Sequence, residues 1–213
     1  MMKGHIWWCF AILAVTGRVC LAAPEPAIVQ GPDEWTIDVT FEHPQQITLQ
    51  VAGDKKPSRF WYTIITLTNQ TNRDVDFYPE CKLMTDTFEI IPAGKGVSAA
   101  VFEQVKRRHQ SKYQFLEYLE GVDNKILQGE DNAKDIAIIW QDFDAKAKGV
   151  KLFITGLSNE TVVINHPTEK DEAGEPLKVY LRKTLELSYK IQGDAAFRSE
   201  AELIYEGKRW VMR

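Results

Sequence analysis

Residues 60–79, FWYTIITLTNQTNRDVDFYP, form the clearest hydrophobic pattern of the chain. The first ten of them include no Gly or Pro and are rich in β-branched and aromatic side chains, which favours a strand. Trp61, Ile65 and Leu67 fall on one face, while the first half of the stretch is apolar on both faces. We therefore predict a central strand covered from both sides at that end, followed by a polar turn at 69–74.

Alternation of apolar and polar residues predicts further strands before and after this one. The alternating stretches and shorter apolar runs lie at 35–41, 47–51, 75–78, 82–86, 88–91, 125–127, 136–140, 150–154, 161–164 and 179–191. Lys183 is the one charged residue on the apolar face of the last stretch, so we expect it to extend to solvent or to lie near a strand end. Gly207-Lys208 separates two short apolar runs and predicts a two-residue hairpin turn.

The period of the pattern changes at 98–120, which predicts a short helical insert. Ser98 is a suitable N-cap for a helix, and the apolar side of that helix would be Ala99, Val101, Phe102 and Val105. A second short helix is predicted at 113–120, where the following glycine would end it. About ten short strands around one helical insert predict a mainly β protein, an antiparallel β-sandwich that occupies 35–213 as a single domain.

The N-terminal residues have the pattern of an export signal rather than of a folded element. Lys3 precedes an apolar run at 6–15 that is too short to span a bilayer, and small residues favour cleavage after Ala22. Residues 1–22 are thus predicted to be a signal peptide, and 23–34 an extended segment. We expect an exported protein, periplasmic or extracellular, without a stable membrane span. An uncleaved N-terminal anchor is the alternative, because Arg18 interrupts the apolar region.

Net charge limits the classes of partner, and the cysteine count limits the possible disulfides. Without Lys3 and Arg18 of the predicted signal peptide, 24 basic residues face 30 acidic ones, a net charge of −6. That balance argues against nucleic acid as a partner. The signal peptide also includes Cys9 and Cys20, so Cys81 would remain alone and no intrachain disulfide could form. Cys81 is interpreted as a small, semi-buried hydrophobic residue, with an intermolecular disulfide or a reactive thiol as the alternative.

Candidate chemistry is sparse. His43, His109 and His166 lie in no recognised catalytic or metal-binding motif. The sequence therefore predicts no catalytic residue, no metal ligand and no cofactor. Aromatic residues offer more, because four tryptophans fall on the apolar phase of predicted strands and are expected in the core: Trp35, Trp61, Trp140 and Trp210. Tyr180 and Phe153 are the candidates for exposed aromatic side chains, and we predict that they form an interface with Arg182.

Several segments resemble known proteins. The segments 66–72, 77–79 and 83–86 resemble the strand–Asn-turn–strand core of secreted bacterial immunoglobulin-like domains, and 128–130 is similar to the turn that precedes a later pairing strand in them. The segments 156–158, 181–185 and 210–213 look like those of a family of uncharacterised secreted bacterial proteins. The resemblance covers most of 35–213 and implies an immunoglobulin-like sandwich. Because its motifs are structural, it implies no activity and no site residues.

The sequence favours an exported, non-catalytic protein that binds or supports another macromolecule at the cell envelope. The partner would be another envelope protein or a polysaccharide. A carbohydrate-binding module is the first alternative and requires at least two coplanar exposed aromatic rings. A hydrolase of unrecognised type is the second, and it requires a pocket in which histidines and carboxylates converge.

Overall fold

The computed structural model describes residues 33–50, 55–193 and 195–213, which belong to one unit, Gly31–Arg213, and consist mainly of β-strands. The elements are β1 (Asp38–Phe41), β2 (Gln45–Leu49), β3 (Ser58–Asn69), β4 (Val75–Asp76), β5 (Glu80–Thr85), β6 (Ile90–Pro92), α1 (Ala99–His109), β7 (Glu117–Tyr118), β8 (Lys125–Ile126), β9 (Gly129–Gln141), β10 (Gly149–Thr155), β11 (Thr161–Lys170), β12 (Pro176–Gln192) and β13 (Glu202–Met212), with 3-10 turns at Leu119–Gly121 and Ala195–Glu200. The predicted signal peptide and most of the predicted extended segment lie outside the described residues.

Two larger sheets account for most of the strands, and β4 and β8 form a third sheet of two strands. The first sheet has the order β1-β3-β9-β7, with β2 also paired to β3. The second has the order β11-β12-β10-β5-β6, with β13 also paired to β12. Among the described strands, every pair is antiparallel except β7 with β9. The prediction of a mainly β, antiparallel architecture is confirmed.

Strand β3 is covered on both faces, as its apolar pattern predicted. Trp61 and Ile65 belong to a buried cluster that also includes Leu152 and Leu187 of the second sheet, so one core joins the two sheets. The alternate residues of β3 belong to a separate cluster with Val101 and Val105 of α1. The predicted helix therefore covers the outer face of the first sheet.

The second predicted helix, at 113–120, is wrong. This segment is a loop, a short strand parallel to β9 and a 3-10 turn. Tyr113 and Leu116 are buried in the cluster beneath α1, and the ring of Tyr118 stacks on that of Phe102. These contacts fix the segment against the sheet, and tertiary packing overrides its helical pattern.

The predicted turn at Gly207-Lys208 is also wrong, because β13 runs through it without a break. Ser188 is opposite Gly207 and Tyr189 is opposite Tyr205, which leaves Glu206 as the extra residue of a β-bulge. Glycine in the middle of a strand is typical of a bulge, and the pairing with β12 continues on both sides of it. The turn predicted at 128–130 overlaps the start of β9, whose first residue, Gly129, has φ +105°.

Candidate functional site

A two-stranded hairpin, residues 161–182, extends beyond the rest of the second sheet, and we call it the arm. Within it β11 pairs only with β12, whereas β10 and β13 pair with β12 from residue 183 onward. Nearly every residue of β11 is exposed. The arm is nevertheless rich in apolar side chains, and those that are 43–64% exposed are Val162, Val163, Ile164 and Tyr180. Val162, Val163 and Ile164 thus expose consecutive β-branched side chains to solvent.

The three residues predicted to form an interface line one groove of about 320 Å³ at the base of the arm. Tyr180 is 64% exposed, as predicted. Phe153 was predicted to be exposed, but it is only 8% exposed. The guanidinium of Arg213 lies 3.8 Å from the centre of its ring and covers it. Arg182, the third residue, is exposed and follows Tyr180 on the same face of β12.

The outer face of the second sheet next to this groove is basic, and we call it the basic face. Its charged residues are Glu80, Lys82, Lys151, Arg182, Glu186, Arg209 and Arg213, five cations against two carboxylates. Adjacent strands align Phe153 with Lys82 on one side and with Glu186 on the other. An excess of positive charge on one sheet face stands out in a chain whose net charge is −4.

Glu186 is the centre of this charge cluster and is only 3% exposed. Lys151 Nζ lies 3.0 Å and Arg209 Nη2 2.9 Å from its Oε1 atom. Burial alone would raise the pKa of Glu186, but the hydrogen bonds from Arg209 and Lys151 outweigh it and lower the pKa below the ordinary value. The carboxylate is therefore ionised and holds two of the cations in place.

The tip of the arm has the opposite charge. Residues 169–175 include four exposed carboxylates, those of Glu169, Asp171, Glu172 and Glu175, against one lysine. The turn is well defined, because Asp171 Oδ1 accepts hydrogen bonds from the backbone N–H groups of Ala173 and Glu175, both at 3.0 Å. The arm thus has an acidic tip and an apolar middle, and its base adjoins the basic face.

A buried ion pair at the base of the arm was not predicted. Lys183 and Glu160 are each 8% exposed, and Lys183 Nζ donates to Glu160 Oε1 and, at 3.1 Å, to Thr36 Oγ1. The expectation that Lys183 extends to solvent is wrong, because Glu160 provides a buried charge partner. The Lys183 ammonium also lies 5.3 Å from the ring centre of Trp210. Only the pairing of distant segments brings these groups together.

The three histidines lie in different surroundings and line none of the grooves described in this section. His43 packs among the rings of Phe41, Tyr189 and Tyr205. His109 Nε2 lies 2.9 Å from the Tyr62 hydroxyl, and His166 Nε2 lies 4.0 Å from Glu169 in the arm. In the described part of the chain, no group of three or more His, Cys, Asp or Glu residues is placed to hold a metal ion.

The predicted core residues behave as expected. Trp61 and Trp140 are fully buried, and Trp35 and Trp210 pack partly buried against the core. Cys81 is 2% exposed, and burial raises the pKa of its thiol. Its interpretation as a small hydrophobic core residue is confirmed.

A second groove of about 240 Å³ also adjoins Arg182 at the base of the arm. Tyr78, which is 67% exposed, lines it together with Trp35, Asp76 and Asn159. This combination of aromatic rings with amide and carboxylate groups resembles a sugar-binding site in composition.

Comparisons of the chain with protein-family models, with curated proteins and with solved structures find no match. No helix in the described ranges is long and apolar enough to cross a membrane.

Proposed function

We propose that this protein is an exported, non-catalytic immunoglobulin-like β-sandwich that binds an acidic segment of another protein chain at the cell envelope. The antiparallel pairing and the single core that joins two sheets support the sandwich. The helix on the first sheet, the parallel β7–β9 pair and the arm are additions to the seven- or nine-strand immunoglobulin plan. The export signal predicted for residues 1–22 supports the location.

The observation that carries the binding function is the groove at the base of the arm. It places an exposed ring, Tyr180, beside Arg182 and Arg213, on a face with an excess of three positive charges. Neither arginine forms one of the ion pairs described above, whereas Lys82, Lys151 and Arg209 each contact a carboxylate. Guanidinium groups bind carboxylates in a bidentate manner, and the adjoining ring provides apolar contact.

Binding to a fluorescent peptide of alternating Glu and Ser tests this function. We expect fluorescence anisotropy to show binding that weakens as the salt concentration rises, because the contacts are exposed charges. The double variant Arg182→Ala/Arg213→Ala is expected to weaken binding about tenfold. Arg107→Ala removes an exposed cation from α1 instead and should leave binding unchanged. Equal loss in both variants, or no binding at all, rejects the proposal.

A carbohydrate-binding module is the second candidate, and the groove of Tyr78 and Trp35 favours it. A glycan array that includes neutral and acidic polysaccharides distinguishes the two functions. Binding to neutral glycans that is lost in Tyr78→Ala and retained in Arg213→Ala, which changes only the first groove, would support the second candidate. The hydrolase alternative has less support, because the three histidines do not converge on a common pocket.

A further inference from the structure

The arm has three zones that differ in chemistry along its length. The tip at 169–175 is acidic, the middle around Val163 and Tyr180 is apolar, and the base meets the basic face at Arg182. The outer edge of β11 is unpaired within the described residues. Charged residues and prolines usually protect a strand edge from pairing with another chain. The first five residues of β11, TVVIN, include neither. An edge of this kind favours the addition of another strand.

We propose that the arm binds the arm of a second copy of this chain, antiparallel and with two-fold symmetry. In this arrangement the acidic tip of each copy lies on the basic face of the other. The inference rests on the function proposed above, since the same face binds the acidic segment, and it identifies that segment as residues 169–175 of the second copy.

Charge complementarity supports a second copy as the occupant. The tip has four carboxylates and one lysine, an excess of three negative charges, and the basic face has an excess of three positive charges. A two-fold contact forms each tip-to-face pairing twice, so the attraction is doubled. The same symmetry lays the apolar zone of one arm on that of the other and removes Val163 and Tyr180, which share the face of Arg182, from water.

The distances along the arm match as well. Val163 is paired with Tyr180 in the middle of the apolar zone. The pairing of β11 with β12 is irregular between Asn165 and Lys170, so the distance to the tip is counted along β12, where Pro176 lies four residues before Tyr180. In the other direction Arg182 and Glu186 lie two and six residues after Tyr180. Arg209 is the neighbour of Glu186 on β13. At about 3.3 Å per residue, the tip begins roughly 13 Å from the centre of the apolar zone, and the basic face spans roughly 7 to 20 Å from it in the opposite direction.

A two-fold axis through the apolar zone therefore superimposes each tip on the opposing basic face. These two pairings account for all the charged contacts that the proposed dimer requires. Because the contact is isologous, it stops at two copies and does not extend into a filament.

Sedimentation velocity on the purified protein tests the dimer. We expect a concentration-dependent dimer that dissociates as salt is added. The tip variant Glu172→Lys/Glu175→Lys and the face variant Arg182→Glu should each weaken dimerisation by about tenfold or more, through like-charge contacts. A mixture of the two variants should form more dimer than either variant alone, because it restores one wild-type pairing, that of the acidic tip of the face variant with the unchanged basic face of the tip variant. Arg107→Glu on α1 is the matched control and should dimerise like the wild type.

A cysteine at the symmetry axis gives a direct test of the geometry. Val163→Cys should form a covalent dimer under mild oxidation, since each copy brings this residue to its own counterpart. Phe115→Cys, at a site that is 84% exposed outside the arm, is the control and should remain uncrosslinked. The wild type serves as the baseline for the native cysteines.

The outcomes separate this inference from the proposed function. A protein that is monomeric at all concentrations but binds the Glu-Ser peptide overturns the inference and leaves the function standing. If neither charge-reversal variant changes the dimerisation, the contact lies elsewhere on the molecule and the inference is also overturned. If the monomeric tip variant, whose basic face is free of the partner arm, does not bind the peptide, the proposed function fails while the dimer can still hold.

Discussion

His109 occupies a polar site between the end of α1 and the first sheet. Its Nε2 atom lies 2.9 Å from the Tyr62 hydroxyl, which also lies 3.2 Å from Arg108 Nη1. Burial, and then the charge of Arg108, lower the pKa of His109 below its ordinary value. The folded protein therefore binds this proton more weakly than the unfolded chain does.

The first prediction concerns pH. Because the folded-state pKa of His109 is depressed, its contribution to stability is present above the unfolded pKa of about 6.5 and is lost as the pH falls through the folded value. We expect the free energy of unfolding to decrease from about pH 7 to pH 5, and His109→Gln to remove part of that decrease. Urea unfolding at several pH values measures it. Identical slopes in both proteins would contradict the prediction.

The second prediction concerns the buried pair of Lys183 and Glu160. Lys183→Met leaves the Glu160 carboxylate buried without its cation, which we expect to cost about 3–5 kcal/mol of stability. The double variant Lys183→Met/Glu160→Leu removes both charges and should be more stable than the single variant. Urea unfolding of both variants supplies the comparison. A double variant less stable than Lys183→Met would show that the two groups are not coupled in this way.

At the scale of elements, glycines report where the backbone is constrained. Gly156 follows β10 with φ +84°, and a Cβ atom there would lie 2.2 Å from the carbonyl oxygen of Tyr78. Gly207 lies in the bulge of β13, where a Cβ atom would meet nothing within 4 Å. The two positions therefore differ although both are glycines near strand irregularities.

The third prediction uses this contrast. Gly156→Ala combines a left-handed conformation with a clash against backbone and is expected to cost more than about 2 kcal/mol. Gly207→Ala should change stability by less than about 0.5 kcal/mol. Thermal unfolding of the two variants is the measurement. A large loss in Gly207→Ala would instead favour the hairpin turn that its sequence suggested, since such a turn needs a positive φ.

At the scale of the whole molecule, the arm is separate from the core that holds the sheets together. None of the residues in the two buried clusters belongs to the arm, all of which is described. The stability of the domain and the contact with a partner are therefore expected to be independent properties of one chain.

The fourth prediction is the removal of the arm. Replacing residues 162–181 by a short Gly-Ser turn should leave the melting temperature and the β-type circular dichroism close to those of the wild type, because no core contact is lost. The same variant should sediment as a monomer. Loss of the folded signal would mean that the arm contributes to the fold, contrary to the burial pattern.

The local pattern determined most strands and the helix. Alternation with period two depends only on neighbouring residues, so β3, β10 and β12 could be recognised from sequence, and the double coverage of β3 followed from its apolar first half. The site was predictable in part for the same reason. Tyr180 and Arg182 lie on the polar phase of β12, and the sequence placed both at an interface.

Only the tertiary structure decided which side chains meet. Phe153 looked exposed from its phase, but Arg213, sixty residues later, covers its ring. Lys183 was expected to extend to solvent, but it forms a buried ion pair with Glu160, which lies just before β11. A turn was predicted at Gly207, but the structure has a bulge there, because β13 pairs with β12 on both sides of this residue. In each case the deciding contact joins residues far apart in the chain, and hydropathy along the sequence includes no information about such pairs.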